Sequence, residues 1–290
     1  MAGLTPYLKL LRPHQWVKNG FVFVGLIFGE AFSNLALLGQ VALAALAFSL
    51  AASSIYVIND LADREKDRLH PVKRHRPLAA GTVNVTQALL LAGACLFGAL
   101  MLAHTVSLAV LLIVAAYAAI NVGYSMGLKH VVVLDVFIIA AGFMLRLLAG
   151  TLGVGIAPSN WLLLCGLMLT LFLGFSKRRA ELAAMSGKGG SHRKVLDDYD
   201  PALLDQFITV CAGATVVSYS LYTVSPETVA LHGTTNLMVT VPFVVYGMFR
   251  YLFLLHRRGG GGDTAAELLR DRHLLLAFGG WLGTVLFILA

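Results

Sequence analysis

Charge is what this chain has least of. Of 290 residues, 13% are charged and 58% are hydrophobic, whereas a soluble domain carries about a quarter charged residues. An ordinary soluble domain is therefore excluded. Only 8 Pro and 3 Cys are present, too few for a collagen-like chain or a disulfide scaffold, and the apolar content rules out intrinsic disorder. Cys95, Cys165 and Cys211 all fall inside apolar runs with no paired spacing, so packing accounts for them, not a zinc site or a disulfide framework.

What the chain does have is long apolar runs. Nine read as membrane-spanning helices: Val17 to Phe32, Leu37 to Ile58, Val85 to Leu102, Val106 to Val122, Val131 to Gly150, Trp161 to Phe175, Leu203 to Val224, Leu237 to Leu255 and Leu274 to Leu289. At about 20 residues per crossing they take most of the length, which predicts one all-α transmembrane domain over residues 1–290. With the N-terminus cytoplasmic, the connections holding Arg64 to Arg76, Lys129, Lys177 to Lys194 and Arg250 to Arg272 fall on the cytoplasmic side. The opposite connections, Ser33 to Gly39, Ala103 to Thr105, Thr151 to Asn160 and Ser225 to Asn236, contain no Lys or Arg. Of 22 basic residues only Arg146 lies toward the outer half. Such one-sidedness is the positive-inside pattern of a plasma-membrane protein whose C-terminus is outside. The net charge of +7 is thus explained by topology and implies no nucleic-acid partner. The first span reads as a retained signal-anchor helix, and Gly259 to Gly262 as a flexible tether before the last span. Homo-oligomerisation is left open by the sequence.

Polar chemistry concentrates where spans meet the cytoplasm. After the second span comes Asn59-Asp60-Leu61-Ala62-Asp63-Arg64-Glu65-Lys66-Asp67. On a continuing helix Asn59, Asp63 and Asp67 share one face, and Asp60 projects near Asp67. Hard oxygen donors without His or Cys suit magnesium. A solvated helix end with local ion pairs is the alternative. Downstream, His70-Pro71-Val72-Lys73-Arg74-His75-Arg76-Pro77-Leu78-Ala79-Ala80-Gly81 forms a cationic loop braced by two prolines. It suits either a phosphate clamp or a topology anchor on anionic headgroups.

The N-D-x-x-D-x-x-x-D motif ending the second helix, followed by H-P-x-K-R-x-R-P-L-A-x-G, resembles the UbiA-type intramembrane prenyltransferase superfamily along essentially the whole chain. The resemblance implies a helical bundle around a central cavity open to the cytoplasmic face, with magnesium and a diphosphate substrate held by Asn59, Asp60, Asp63 and Asp67. It also implies that Tyr124 and Lys129, in Tyr124-Ser125-Met126-Gly127-Leu128-Lys129, engage the leaving diphosphate.

Family members carry a second Asp-rich motif after the sixth span; here that position reads Phe175-Ser176-Lys177-Arg178-Arg179-Ala180-Glu181-Leu182. With Arg12-Pro13-His14-Gln15-Trp16-Val17-Lys18-Asn19 and Arg146, this K-R-x-x-E pattern resembles the decaprenyl-phosphate phosphoribosyltransferase branch. The branch moves 5-phosphoribosyl from phosphoribosyl pyrophosphate to a polyprenyl phosphate, releasing pyrophosphate, and supplies arabinose to the cell wall. That implies Lys177 and Arg178, with Lys73, Arg74 or Arg76, on the donor's 5-phosphate or the lipid phosphate. Gln15, Lys18 and Asn19 would stand near the same mouth, with Glu181 on a ribose hydroxyl or a neighbouring cation. Arg146 has two readings, an intramembrane functional cation or a snorkelling one. Asp135 is expected to face inward, because a lipid-facing carboxylate is too costly. Asp200-Pro201 reads as the N-cap and first residue of the seventh span. Two other functions stay open: prenyl transfer from a prenyl diphosphate to an aromatic or other small acceptor, and transport of a phosphorylated solute.

Overall fold

The computed structural model describes residues 4–29, 33–185, 194–258 and 270–289, and these contain helices and no strand. Helix α1 (Thr5–Leu11) leads into a 3-10 helix (Pro13–Phe23) and a short α2 (Val24–Phe28). There follow α3 (Leu35–Ala62), α4 (Arg64–Leu69), α5 (Val85–Val106), α6 (Leu108–Met126), α7 (Leu134–Ala149), α8 (Asn160–Met185), α9 (Pro201–Val224), α10 (Pro226–His232), α11 (Val241–Arg258) and α12 (Arg272–Leu289). Among the described residues, eight helical segments are long and apolar enough to cross a bilayer. The chain is a multi-pass membrane protein.

Those eight correspond to the second through ninth predicted spans. The first predicted span, Val17 to Phe32, takes another form: the 3-10 helix and α2, with residues 30–32 outside the described set. The reason is tertiary. Polar side chains fasten this segment to α3: Trp16 Nε1 donates to Ser53 Oγ (3.0 Å) and Asn19 Nδ2 to Ser49 Oγ (2.8 Å). Ser53 Oγ in turn donates to the Leu11 carbonyl (2.8 Å). An 11-residue 3-10 run is unusually long, since its tighter i→i+3 bonds are weaker than α-helical ones, and these side-chain fastenings hold it. The predicted tether at 259–262 lies outside the described residues.

Helix starts follow their capping residues. Asn34 accepts from the amides of Ala36 and Leu37 to open α3, and Asn84 with Gln87 forms a reciprocal capping box on α5. Asp200 caps α9 by accepting from the Leu203 amide, with Pro201 as the first helical residue, as the sequence indicated.

The chain divides into two compact units. The first comprises Met1–Leu128 and Leu145–Ala157. Its core sets small residues of α3 (Ala44, Ala47, Ala51) and α5 (Ala99, Ala103) among Phe48, Val110, Val114 and Tyr117. Small residues let helix backbones approach closely where no water drives association. Two glycines make the closest approach possible. A Cβ on Gly150 would stand 1.7 Å from the Val22 carbonyl oxygen, and one on Gly25 would stand 2.3 Å from the Gly150 carbonyl. The second unit comprises Lys129–Met144 and Pro158–Ala290. Its core is more aromatic: Phe172, Phe175, Tyr199 and Tyr251 pack with Val136, Leu171 and Leu204, and the Phe172 and Tyr251 rings meet edge to face at 5.2 Å.

Candidate active site

In the first unit the acidic motif keeps the geometry its spacing requires. The Asp63 amide donates to the Asn59 carbonyl (2.9 Å) and the Asp67 amide to the Asp63 carbonyl (2.8 Å), across a break at Asp63, which ends α3 and precedes α4. Asn59, Asp63 and Asp67 thus follow one another at one-turn intervals along an acidic ridge that bends at Asp63. Asn59 Oδ1 accepts from Ser125 Oγ, so the C-terminal end of α6, which also carries the half-buried Tyr124, meets that ridge.

Asp60 and Asp67 are both buried, and a buried carboxylate needs cationic or hydrogen-bonding partners. Arg76 supplies one to each, its Nη1 donating to Asp60 Oδ1 (2.9 Å) and Asp67 Oδ2 (2.7 Å). Arg12 Nη2 donates to the same Asp60 oxygen at 2.6 Å, and its guanidinium lies 5.2 Å from the centre of the Tyr56 ring. Asp60 does project near Asp67, as expected, and Arg76 joins them. This differs from a set of four metal donors, because Asp60 Oδ1 already sits between two guanidinium groups.

The same contacts shape the cationic loop. Leu78 is fully buried against Leu10, Val57 and Val83, while Arg64 Nε donates to the Leu78 carbonyl (3.2 Å) and Arg68 Nε to that of Ala79 (3.4 Å). His70 Nδ1 accepts from the amides of Val72 and Lys73. Arg76 is thus pinned inward, and Lys73, Arg74 and His75 form an exposed 3-10 turn.

Gln15 is half-buried and Lys18 exposed on the 3-10 segment, whereas Asn19 is buried. Asn19 Oδ1 accepts from Arg146 Nε (2.7 Å), and Arg146 Nη2 donates to the Tyr117 hydroxyl (3.2 Å). The guanidinium lies 4.7 Å from the Tyr117 ring centre and 5.3 Å from that of Phe48. Of the two readings of Arg146, snorkelling does not hold: the side chain is buried in an aromatic and amide cage whose ring faces attract a cation.

Lys129, Lys177, Arg178 and Glu181 belong to the second unit. Lys129 is half-buried in the turn before α7, and Lys177 half-buried on α8. Arg178, 1% exposed, pairs its Nε with Asp135 Oδ2 and its Nη1 with Glu181 Oε2, both at 2.6 Å. Its partners are therefore protein carboxylates, and of Glu181's two expected partners the structure shows the neighbouring cation. Asp135 faces inward as expected, fully buried. Its other oxygen accepts from the Tyr199 hydroxyl (2.8 Å), which itself accepts from the Val133 amide (2.8 Å). Burial pushes the Tyr199 hydroxyl well above the usual tyrosine range, and the neighbouring Asp135 pushes the same way. Val133 has φ +68°, a left-handed conformation that costs a β-branched residue about 1–3 kcal/mol.

Sequence reasoning missed Arg12, Ser125 and Tyr199 as site residues. Two had a signal: Arg12 heads the R-P-H-Q-W stretch and Ser125 lies within the Tyr124 to Lys129 motif, whereas nothing in the sequence marks Tyr199 as the acceptor of the Val133 amide.

Among the described residues no group of three or more His, Cys, Asp or Glu is placed to hold a metal ion. The oxygen donors at hand are Asn59, Asp63 and Asp67, the last of them also paired with Arg76, and donors of this kind suit magnesium, which takes one or two carboxylates and completes its shell with water and substrate phosphate.

Residues 20–275 match the UbiA prenyltransferase family. The decaprenyl-phosphate phosphoribosyltransferase of Mycolicibacterium smegmatis is 34% identical over 96% of this chain and 90% of its own length. The protein of the same name from Mycobacterium tuberculosis is 35% identical over 98% of this chain and 93% of its own. Among solved structures, a UbiA homolog from Archaeoglobus fulgidus bound to GPP and Mg2+ superposes with a TM-score of 0.72 at 20% identity, covering 98% of this chain and 99% of that one. This last likeness is one of fold.

Proposed function

The chain belongs to the UbiA prenyltransferase family, and from that premise we propose that it transfers 5-phosphoribosyl from phosphoribosyl pyrophosphate to the phosphate of a polyprenyl phosphate such as decaprenyl phosphate, releasing pyrophosphate. The observation that carries this reading is the turn of α8 that bears half-buried Lys177 and buried Arg178 at the sequence position where a prenyl-diphosphate enzyme carries a second acidic motif. Near-full-length similarity to two enzymes of that name supports it.

The reaction breaks the bond between the ribose C1 and the diphosphate oxygen and forms one from C1 to an oxygen of the lipid phosphate. The bonding pair leaves with pyrophosphate. No proton has to be removed from the acceptor, because it is already an anion. The task is to hold two polyanions in line and to stabilise charge as it grows on the leaving group. Magnesium supplies electrophilic stabilisation of that charge when bound. Asn59, Asp63 and Asp67 would hold it, with Asp60 and Arg76 setting the ridge and the loop. Tyr124 and Lys129 take the leaving diphosphate. Lys73, Arg74 and Lys177 bind the donor's 5-phosphate or the lipid phosphate, with Gln15 and Lys18 at the entry. Asn19 and Arg146 steady the 3-10 segment that carries those two.

The one-sided Lys and Arg distribution supports catalysis at the cytoplasmic face of the plasma membrane, with the N-terminus inside and the C-terminus outside. The product is a lipid-linked pentose phosphate of the kind that feeds arabinose into a cell wall. A second reading, prenyl transfer from a prenyl diphosphate to a small acceptor, draws on the family name and the GPP-bound fold relative. One assay separates them. Membranes holding the protein receive labelled phosphoribosyl pyrophosphate and magnesium, with or without polyprenyl phosphate. Label entering the organic phase only with the lipid supports the first reading; consumption of prenyl diphosphate with no such label supports the second.

A further inference from the structure

Lys129 lies in a 3-10 turn, Leu128–His130, and the segment that leads from it into α7 holds an unfavourable backbone conformation. Val133, four residues on, combines φ +68° with a β-branched side chain packed against the core of the second unit. Left to itself such a residue relaxes to negative φ. Around it the Leu134 amide donates to the Val132 carbonyl (2.8 Å), the Asp135 amide to that of Val131 (3.0 Å) and the Phe137 amide to that of Val133 (3.1 Å). A change at Val133 therefore moves the whole entry into α7.

What resists the change comes from 66 residues away in sequence. The Tyr199 hydroxyl has one proton and two lone pairs. Asp135, ionised beside Arg178, only accepts, so the tyrosine proton points to Asp135 Oδ1 and a lone pair takes the Val133 N–H. Arg178 fixes the other Asp135 oxygen and is itself held by Glu181. Every group in the relay has one possible direction, so the hydroxyl cannot turn away from Val133.

We propose that Tyr199 is a positioning residue: through its hydroxyl it holds the Lys129 turn in the left-handed register at Val133 that catalysis requires. The proposal rests on the reading of Lys129 as a leaving-group lysine. Strain held by an outside partner at a motif-bearing turn is a recurrent feature of functional sites. A hydroxyl serving only the core would have no reason to close on a strained amide.

The test uses the full-length protein in lipid nanodiscs and compares wild type, Tyr199→Phe, Val133→Gly and the double variant. Amide exchange over 131–135 should rise in Tyr199→Phe. Its kcat/KM for phosphoribosyl pyrophosphate should fall about 10-fold or more, since misplacing one catalytic group by about an ångström costs up to about 100-fold. The KM for the lipid phosphate should stay constant. Adding Val133→Gly to Tyr199→Phe should restore most of the loss, because glycine adopts positive φ without strain. Exchange unchanged in Tyr199→Phe, equal losses toward both substrates, or no recovery in the double variant would each overturn the proposal. A wild type inert toward phosphoribosyl pyrophosphate would overturn the functional reading instead, and the exchange measurement would still report on Tyr199's hold over the turn.

Discussion

Both units build a polar network from arginine and aspartate, yet the two are made for different work. In the first, Arg12 and Arg76 remain 25% and 30% exposed while reaching buried Asp60 and Asp67. In the second, Arg178 and Asp135 are 1% and 0% exposed. A guanidinium that reaches a wet edge can meet a substrate phosphate while it still holds its buried carboxylate. A sealed pair cannot, and removing one partner leaves a buried charge and costs about 3–5 kcal/mol. The first network is suited to meet substrate. The second sets backbone geometry beneath the K-R-x-x-E turn and before α7.

That contrast can be broken by mutation. Asp63→Ala removes an oxygen donor from the acidic ridge and should lower turnover by at least about a thousandfold, as loss of charge stabilisation in a transition state does; folded yield by size-exclusion chromatography should be unchanged. Arg178→Met should do the reverse first, lowering the unfolding temperature in detergent through a loss of about 3–5 kcal/mol. The pair change Arg178→Met with Asp135→Leu should recover much of it, because the fully buried carboxylate goes with its cation and Glu181, which also loses Arg178, is partly exposed. Arg76→Met leaves Asp67 buried without its cation, so it should also cost about 3–5 kcal/mol of stability, and it should in addition raise the KM for phosphoribosyl pyrophosphate about tenfold, read by initial rates across donor concentration.

The smallest effect belongs to an ion pair away from both networks. Arg250 grips Asp271 through two bonds of 3.1 and 2.7 Å, which with the amides of Leu274 and His273 lowers the Asp271 carboxyl from its ordinary 3.8 to about 2. A depressed carboxylate stabilises the fold above its unfolded pKa and loses that contribution as pH falls through the folded one. The start of α12 should therefore loosen between about pH 4 and pH 2 in the wild type. Asp271→Asn should lack that step in a pH series of thermal melts.

How much of this was readable beforehand depended on the range of the interaction. Eight spans, their caps and the acidic ridge follow from local pattern, because hydropathy and i, i+4 spacing are properties of short windows. The 3-10 form of the first segment was not readable, since it depends on Ser49 and Ser53, some 30 to 37 residues away. The pairing of Arg76 with Asp67 spans nine residues and lay within reach of the motif, as did that of Arg178 with Glu181, yet Arg178's other partner did not. Asp135 is 43 residues distant and carries no motif of its own. Tyr199 was hidden for the same reason: its hydroxyl serves a backbone amide, and no sequence pattern marks an amide in need of a partner.

The central claim is that the acidic ridge drives pentose transfer to a lipid anion, and a matched pair of product measurements tests it most directly. Purified protein in nanodiscs containing decaprenyl phosphate is given ribose-labelled phosphoribosyl pyrophosphate and magnesium, and lipid-borne label and free pyrophosphate are quantified together. Equimolar formation of the two in the wild type, with neither in Asp63→Ala, is the predicted result. Pyrophosphate released without lipid-borne label, or an Asp63→Ala protein as active as the wild type, would contradict the account.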